Sequence, residues 1–238
     1  MSGTAGGVAV KICGLSTEAT VAAAVAGGAA FVGFVFYPPS PRAVTPARAG
    51  ALAAAVPAGI VRVGLFVDPT DEALAATLAE APLDMLQLHG RESAERVAAV
   101  RRRFGLAVMK AVPIAAAEDF AAAAPYLDVA DRLLFDAKPP RRAGALPGGN
   151  GEAFDWRLLA GRAFPIPWML SGGLTAETLA EAVRQSGAAS VDVSSGVETA
   201  PGVKDRAKIA AFLAAARRLG ASDAPLSRPR AAASRPPG

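Results

Sequence analysis

Short apolar runs that end in glycine, proline or a polar residue alternate along this chain with longer, alanine-rich stretches. A brief apolar run bounded by turn-formers reads as a buried strand, and a longer stretch of strong helix formers reads as a helix. Strands are therefore expected at Val8–Cys13, Phe31–Phe36, Ile60–Val67, Asp84–Leu88, Ala107–Val112, Arg132–Asp136, Pro167–Ser171 and Ser190–Val193. Helices are expected between them at Thr17–Ala26, Pro46–Val56, Asp71–Ala81, Glu92–Phe104, Ala116–Leu127, Asp155–Leu159, Ala176–Gln185 and Lys204–Leu219. The strands show near-continuous apolarity rather than alternation, as a parallel sheet covered on both faces requires. Several helix starts are legible. Thr45 precedes Pro46, a cap followed by a residue whose missing N–H costs nothing at the first helical position. "DPTDEAL" and "LTAETL" put acidic residues where the helix dipole favours them.

Eight strand–helix units in one chain of 238 residues predict a single α/β domain, a (β/α)8 TIM barrel, a fold of typically ~250 residues. A doubly wound sheet usually has fewer strands and a glycine-rich first turn, and "KICGLS" contains no such turn. The expected divisions are a flexible N-terminus over 1–7, a barrel over 8–220 and a disordered tail over 221–238. That tail is rich in proline and arginine and lacks periodicity.

Composition narrows the function classes. Hydrophobic residues make up 52% and charged residues 19%, which is ordinary for a globular protein and not for a disordered one. Of the formal charge of +4, half sits in the tail, where Arg228, Arg230 and Arg235 face only Asp223. No aromatic residues interleave with basic ones, so nucleic acid is not an expected partner. No apolar run reaches the roughly 20 residues of a membrane span, and the opening residues lack a basic and apolar secretory pattern. With one cysteine, the expectation is a reducing, cytoplasmic setting. His89 is the only histidine and no CxxC is present, so no metal site is expected.

Glycine and proline cluster after the second, sixth, seventh and eighth strands, as "YPPSPR", "AKPPRRAGALPGGNG", "SGG" and "SSGVETAPGVKD". In a barrel all of these lie on the carboxyl face, where active sites are built. "SGGLT" and "SSGVE" follow strands seven and eight, the positions at which barrels commonly bind phosphate. Glycine lets the backbone approach an anion, which makes Gly172, Gly173, Ser195 and Gly196 candidate donors. At the end of strand one, Lys11 and Cys13 share a face. A nearby ammonium favours the thiolate, but the stretch by itself fits a small buried hydrophobe at least as well. Asp136 closes an apolar run at the mouth, either as a general acid or as a partner of a helix cap or Lys138. His89 reaches the mouth beside Gln87, Asp192 enters strand eight, and Arg42 stands on a proline-bounded loop with a fork suited to a carboxylate.

Together, "VKICGLS", "FVGFVFYPPSPRAV", "VGLFVD", "LQLHG", "LLFDAK", "GGNGEAFDW", "PWMLSGGL" and "VDVSSGVETAPGVKD" resemble the phosphoribosylanthranilate isomerase family, in order, from about Val8 to about Leu219. The resemblance implies a barrel of the ribulose-phosphate-binding type. It implies an Amadori rearrangement of N-(5-phosphoribosyl)anthranilate to 1-(2-carboxyphenylamino)-1-deoxyribulose 5-phosphate in tryptophan biosynthesis. No cofactor is implied, and the enzyme would be a monomer or a homodimer. By resemblance Cys13 is the general base, Asp136 the general acid and Arg42 the carboxylate ligand. The two glycine loops would hold phosphate, and Lys11, His89 and Asp192 would line the site. A histidine-pathway isomerase is a related alternative, but those barrels resemble this one with an aspartate where Cys13 stands. A non-catalytic phosphate-binding barrel should lack the acid, the base or the arginine, and all three are present.

Overall fold

The structure, a computed structural model, describes residues 7–139 and 146–222. Eight parallel strands form a closed barrel in sequence order: β1 (Ala9–Cys13), β2 (Phe31–Val35), β3 (Val61–Phe66), β4 (Met85–Leu88), β5 (Ala107–Ile114), β6 (Arg132–Ala137), β7 (Trp168–Leu170) and β8 (Ser190–Val193). β8 returns to β1 in register, with Lys11 opposite Asp192, and this closes the sheet without an edge. All eight expected strands form.

Packing follows from strand alternation. One face of each strand enters the barrel, where Phe31, Val63, Met85, Met109, Leu134 and Met169 make a separate inner core. The other face meets the helices α1 (Glu18–Ala26), α2 (Pro46–Ala53), α3 (Asp71–Glu80), α4 (Ala94–Phe104), α5 (Leu179–Ser186) and α6 (Arg206–Ser222) in a larger outer core. Phe135 illustrates how this positions the site. It points outward into a ring cluster, with centroids 4.8 Å from Phe164 and 5.3 Å from Phe120. Its neighbour Asp136 is thereby turned toward the interior.

Caps form where the sequence places them. Thr45 accepts from the Arg48 N–H at 3.2 Å ahead of Pro46, and Ser93 accepts from that of Arg96 at 3.3 Å. Two expected α-helices are instead 3-10 turns, at Ala117–Tyr126 and Trp156–Leu159. In the first, Asp119 takes the Ala115 and Ala116 N–H groups at 2.8 and 3.0 Å, and Pro125 lacks the N–H a continuing helix needs. α5 begins later than its apolar pattern suggests, because Thr175 and Thr178 close a turn of their own at 2.9 Å. α6 runs to Ser222, two residues beyond the expected end of the barrel, and the rest of the tail lies outside the described residues. The sequence pattern missed a 3-10 turn at Ser195–Val197 and the hairpin that follows it. β9 (Glu198–Ala200) and β10 (Val203–Lys204) form a small antiparallel hairpin turned at Pro201–Gly202, where Gly202 has φ 84°. Its Pro-Gly pair was the available signal.

Candidate active site

One cavity opens at the carboxyl ends of the strands, and its wall includes Cys13, Arg42, His89, Asp136, Gly172 and Ser195. Gly173, Asp192 and Ser194 also border it. Two of the sequence candidates sit elsewhere. Lys11 lies fully buried beneath the cavity floor, and Gly196 lies behind its wall. The reason at Gly196 is close packing: a β-carbon there would overlap the Leu174 carbonyl oxygen, so the seventh and eighth loops rest directly on each other.

The floor is a charged layer. Lys11 Nζ donates to Asp192 Oδ1 at 2.9 Å, with the lysine side chain 0% and the aspartate side chain 6% exposed. Cys13 stands just above. A β-carbon on Gly33 would be 3.1 Å from both the Cys13 sulfur and Lys11 Nζ, so glycine at this point of β2 leaves the space that the pair occupies. The partnership with Asp192 and Cys13 holds Lys11 well above an ordinary lysine despite its burial. The thiol departs from expectation. Burial pushes Cys13 up, the Lys11 ammonium pulls it down, Asp192 pushes it up again, and the net result is above an ordinary thiol. Lys11 does pull the thiol down, as their shared face predicts, but desolvation is larger.

Opposite Cys13 is the aspartate of β6. Asp136 Oδ2 is 3.3 Å from His89 Nε2, and Gln87 Nε2 is 2.9 Å from His89 Nδ1. Lys138 is not its partner. That lysine turns outward and donates to Asp119 at 2.6 Å, which leaves the Asp136 carboxyl to the histidine and the cavity. The loop holding His89 is fixed from below by a buried ion pair: Lys110 donates to Glu92 Oε2 at 2.9 Å and to the Gly90 carbonyl at 2.8 Å. Glu92 in turn accepts from the Asp68 and Gly90 N–H groups.

Arg42 lies on the far side. Its fork is not free as the sequence suggested: Nε and Nη2 donate to Glu198 Oε1 and Oε2 at 2.8 and 2.9 Å. Glu198 belongs to the hairpin that the sequence pattern missed. The glycine loop after β6 crosses between acid and arginine. Gly148 packs where a β-carbon would be 2.6 Å from His89 Nε2 and 2.8 Å from Asp136 Oδ2, and the Gly149 carbonyl accepts from Arg42 Nη2 at 3.1 Å. Asn150 ties the loop to itself by donating to the Leu146 carbonyl at 2.7 Å.

A cysteine and an aspartate therefore face one cavity, whose wall also includes an arginine and the two glycine loops after β7 and β8. The N-(5'phosphoribosyl)anthranilate (PRA) isomerase family model matches residues 10–215, nearly the whole barrel. The chain belongs to the phosphoribosylanthranilate isomerase family. Among its relatives is N-(5'-phosphoribosyl)anthranilate isomerase of Cereibacter sphaeroides, 61% identical over 211 residues that cover 89% of this chain and 99% of the relative. Of solved structures, the phosphoribosyl anthranilate isomerase of Thermotoga maritima is 34% identical, with a TM-score of 0.78 over 89% of this chain and 99% of that one. A further phosphoribosyl anthranilate isomerase, 33% identical, has a TM-score of 0.75 over 89% of this chain and 99% of its own. That structure is a complex with reduced 1-(o-carboxyphenylamino)-1-deoxyribulose 5-phosphate. Family membership agrees with the closed parallel barrel, and no helix among the described residues is long and apolar enough to cross a membrane.

Proposed function

We propose that this family member isomerises N-(5-phosphoribosyl)anthranilate to 1-(2-carboxyphenylamino)-1-deoxyribulose 5-phosphate, with Cys13 as general base and Asp136 as general acid. The observation that carries the assignment is the placement of these two groups, from β1 and β6, on one cavity also lined by Arg42 and by the glycine loops after β7 and β8. Asp136, protonated, donates to the ring oxygen as the nitrogen lone pair forms a Schiff base and the C1′–O bond breaks. The Cys13 thiolate then takes the C2′ proton, and the C–H electrons form the C1′=C2′ bond as the iminium nitrogen recovers its pair. The thiol returns its proton to C1′, while the 2′-hydroxyl proton passes to the Asp136 carboxylate and leaves the ketone. Both groups end as they began, so no net proton, electron or cofactor is consumed.

The remaining residues have binding roles. Arg42 takes the anthranilate carboxylate, while backbone N–H groups around Gly172, Gly173 and Ser195 take the phosphate, with Gly196 shaping that pocket from behind. Holding both ends of an extended substrate places C2′ over the base. Lys11 supports the thiolate and Asp192 supports Lys11. His89 holds the Asp136 carboxyl. The same proposal places the catalytic domain at 8–220 and the protein in the cytoplasm, as a monomer or homodimer.

The test is a fluorescence assay of phosphoribosylanthranilate consumption, with substrate formed in situ from anthranilate and phosphoribosyl pyrophosphate. Turnover by the native chain and its loss in Cys13→Ala and Asp136→Asn, both still folded by circular dichroism, is the expected result. Near-native activity in either variant removes the role given to that residue.

A further inference from the structure

Glu198 was not among the residues that the sequence singled out, yet it lies buried behind Arg42 of the cavity wall, at the centre of a charged cluster. Its Oε1 accepts from Arg42 Nε at 2.8 Å and from Lys204 Nζ at 2.6 Å, and its Oε2 accepts from Arg42 Nη2 at 2.9 Å. Side-chain exposure is 6% for Arg42, 4% for Glu198 and 1% for Lys204. Lys204 continues the chain of contacts. It donates to the Ser194 carbonyl and hydroxyl at 2.9 and 3.1 Å, and the Ser194 hydroxyl donates to the Cys13 carbonyl at 3.2 Å. The hairpin thus joins the arginine to the strand end that carries the thiol.

Two features of this cluster point to a ligand. The first is charge: two cations surround one carboxylate, so the buried group carries one positive charge in excess. A buried charge without a counterion is costly, and an arriving anion relieves that cost. The second is direction. Glu198 occupies the Nε/Nη2 edge of the guanidinium, and Nη1 lies against Gly149, where a β-carbon would come within 2.7 Å of it. Gly149 borders the cavity. An arginine side chain has considerable rotamer entropy to lose on being fixed. Here that loss falls on folding rather than on binding.

We infer that Glu198 is a positioning residue for the reaction: by clamping one edge of Arg42 it turns the Nη1 end, and the excess positive charge, toward the substrate carboxylate. This rests on the reading of Arg42 as the carboxylate ligand. Lys204 takes part by balancing Glu198, so that the glutamate orients the arginine without cancelling its charge. A purely structural ion pair would stabilise the hairpin and have no bearing on what the substrate carries.

The experiment compares two competitive inhibitors, N-aryl 1-amino-1-deoxyribitol 5-phosphates, one with a 2-carboxyphenyl and one with a phenyl group. Their affinity ratio in the native protein measures the preference for a carboxylate. In Glu198→Gln that ratio is expected to fall about tenfold or more, KM for substrate to rise comparably, and kcat and phenyl-inhibitor affinity to change little. An unchanged ratio, or equal weakening of both inhibitors, overturns the inference. Arg42→Met separates the two readings. If it keeps the native ratio, the carboxylate role of Arg42 fails and the inference fails with it. If Arg42→Met abolishes the preference while Glu198→Gln keeps it, only the positioning role fails. Should Glu198→Gln not fold, Glu198→Asp keeps the charge but withdraws it by one methylene. A folded Glu198→Asp with the native ratio would equally overturn the inference.

Discussion

Lys11 Nζ donates to Asp192 Oδ1 at 2.9 Å beneath the cavity floor, and the Cys13 thiol sits beside the same ammonium. Removing one member of a buried pair leaves the other charge uncompensated, at a cost of about 3–5 kcal/mol. Lys11→Met is therefore expected to lower stability by that order and to push the Cys13 thiol further up. Urea unfolding reads the first effect. The pH dependence of iodoacetamide alkylation reads the second, as an inflection shifted to higher pH than in the native chain.

The direction of the Cys13 shift fixes a pH profile. Burial holds the group protonated above the ordinary thiol range of about 8.5, so only a small fraction is thiolate at neutral pH. A base that must be ionised gains population as pH rises, up to tenfold per unit below its inflection. Iodoacetamide alkylation of Cys13 is thus expected to accelerate steadily between pH 7 and 9, because its inflection lies above the ordinary thiol range. A rate that levels off within that window would rule out a thiol raised by this environment.

Positioned proton transfer contributes on the order of 10²–10⁴ in rate. Cys13→Ser and Asp136→Asn are each expected to lose kcat by at least about 10²-fold. Ground-state affinity for a product analogue should change far less, because phosphate and carboxylate contacts remain. Steady-state kinetics beside inhibitor titration separates the two.

The contact between the seventh and eighth loops predicts a defect without loss of any polar group. Gly196→Ala forces a β-carbon against the Leu174 carbonyl, and backbone cannot yield as a side-chain tip can. Overpacking of this kind costs about 1–3 kcal/mol. The loops should separate, raising KM for the phosphorylated substrate and lowering the melting temperature, while the alkylation profile of Cys13 stays native.

Beneath the His89 loop, Lys110 and Glu92 form a second buried pair, with side chains 3% and 1% exposed. Lys110→Met should destabilise by about 3–5 kcal/mol and free the loop above it. Hydrogen exchange at Gly90 and Arg91 is the local readout, with faster exchange expected there than at β1.

The sequence by itself determined the order and number of the barrel strands, because apolar runs with glycine or proline ends are local features. It also placed Cys13, His89 and Asp136 at strand ends, since alternation decides which side chains enter the barrel. The 3-10 turn at Ala117–Tyr126 and the hairpin at Glu198–Lys204 were beyond it. The first depends on Asp119 taking backbone N–H groups and Lys138, and the second is too short to show a period. Only the tertiary structure decided the electrostatics. Desolvation of Cys13, the diversion of Lys138 to Asp119 and the clamping of Arg42 by a carboxylate 156 positions away all arise from burial and closure of the barrel. Local sequence carries the identity of a charged group, but its environment comes from the chain segments folded around it.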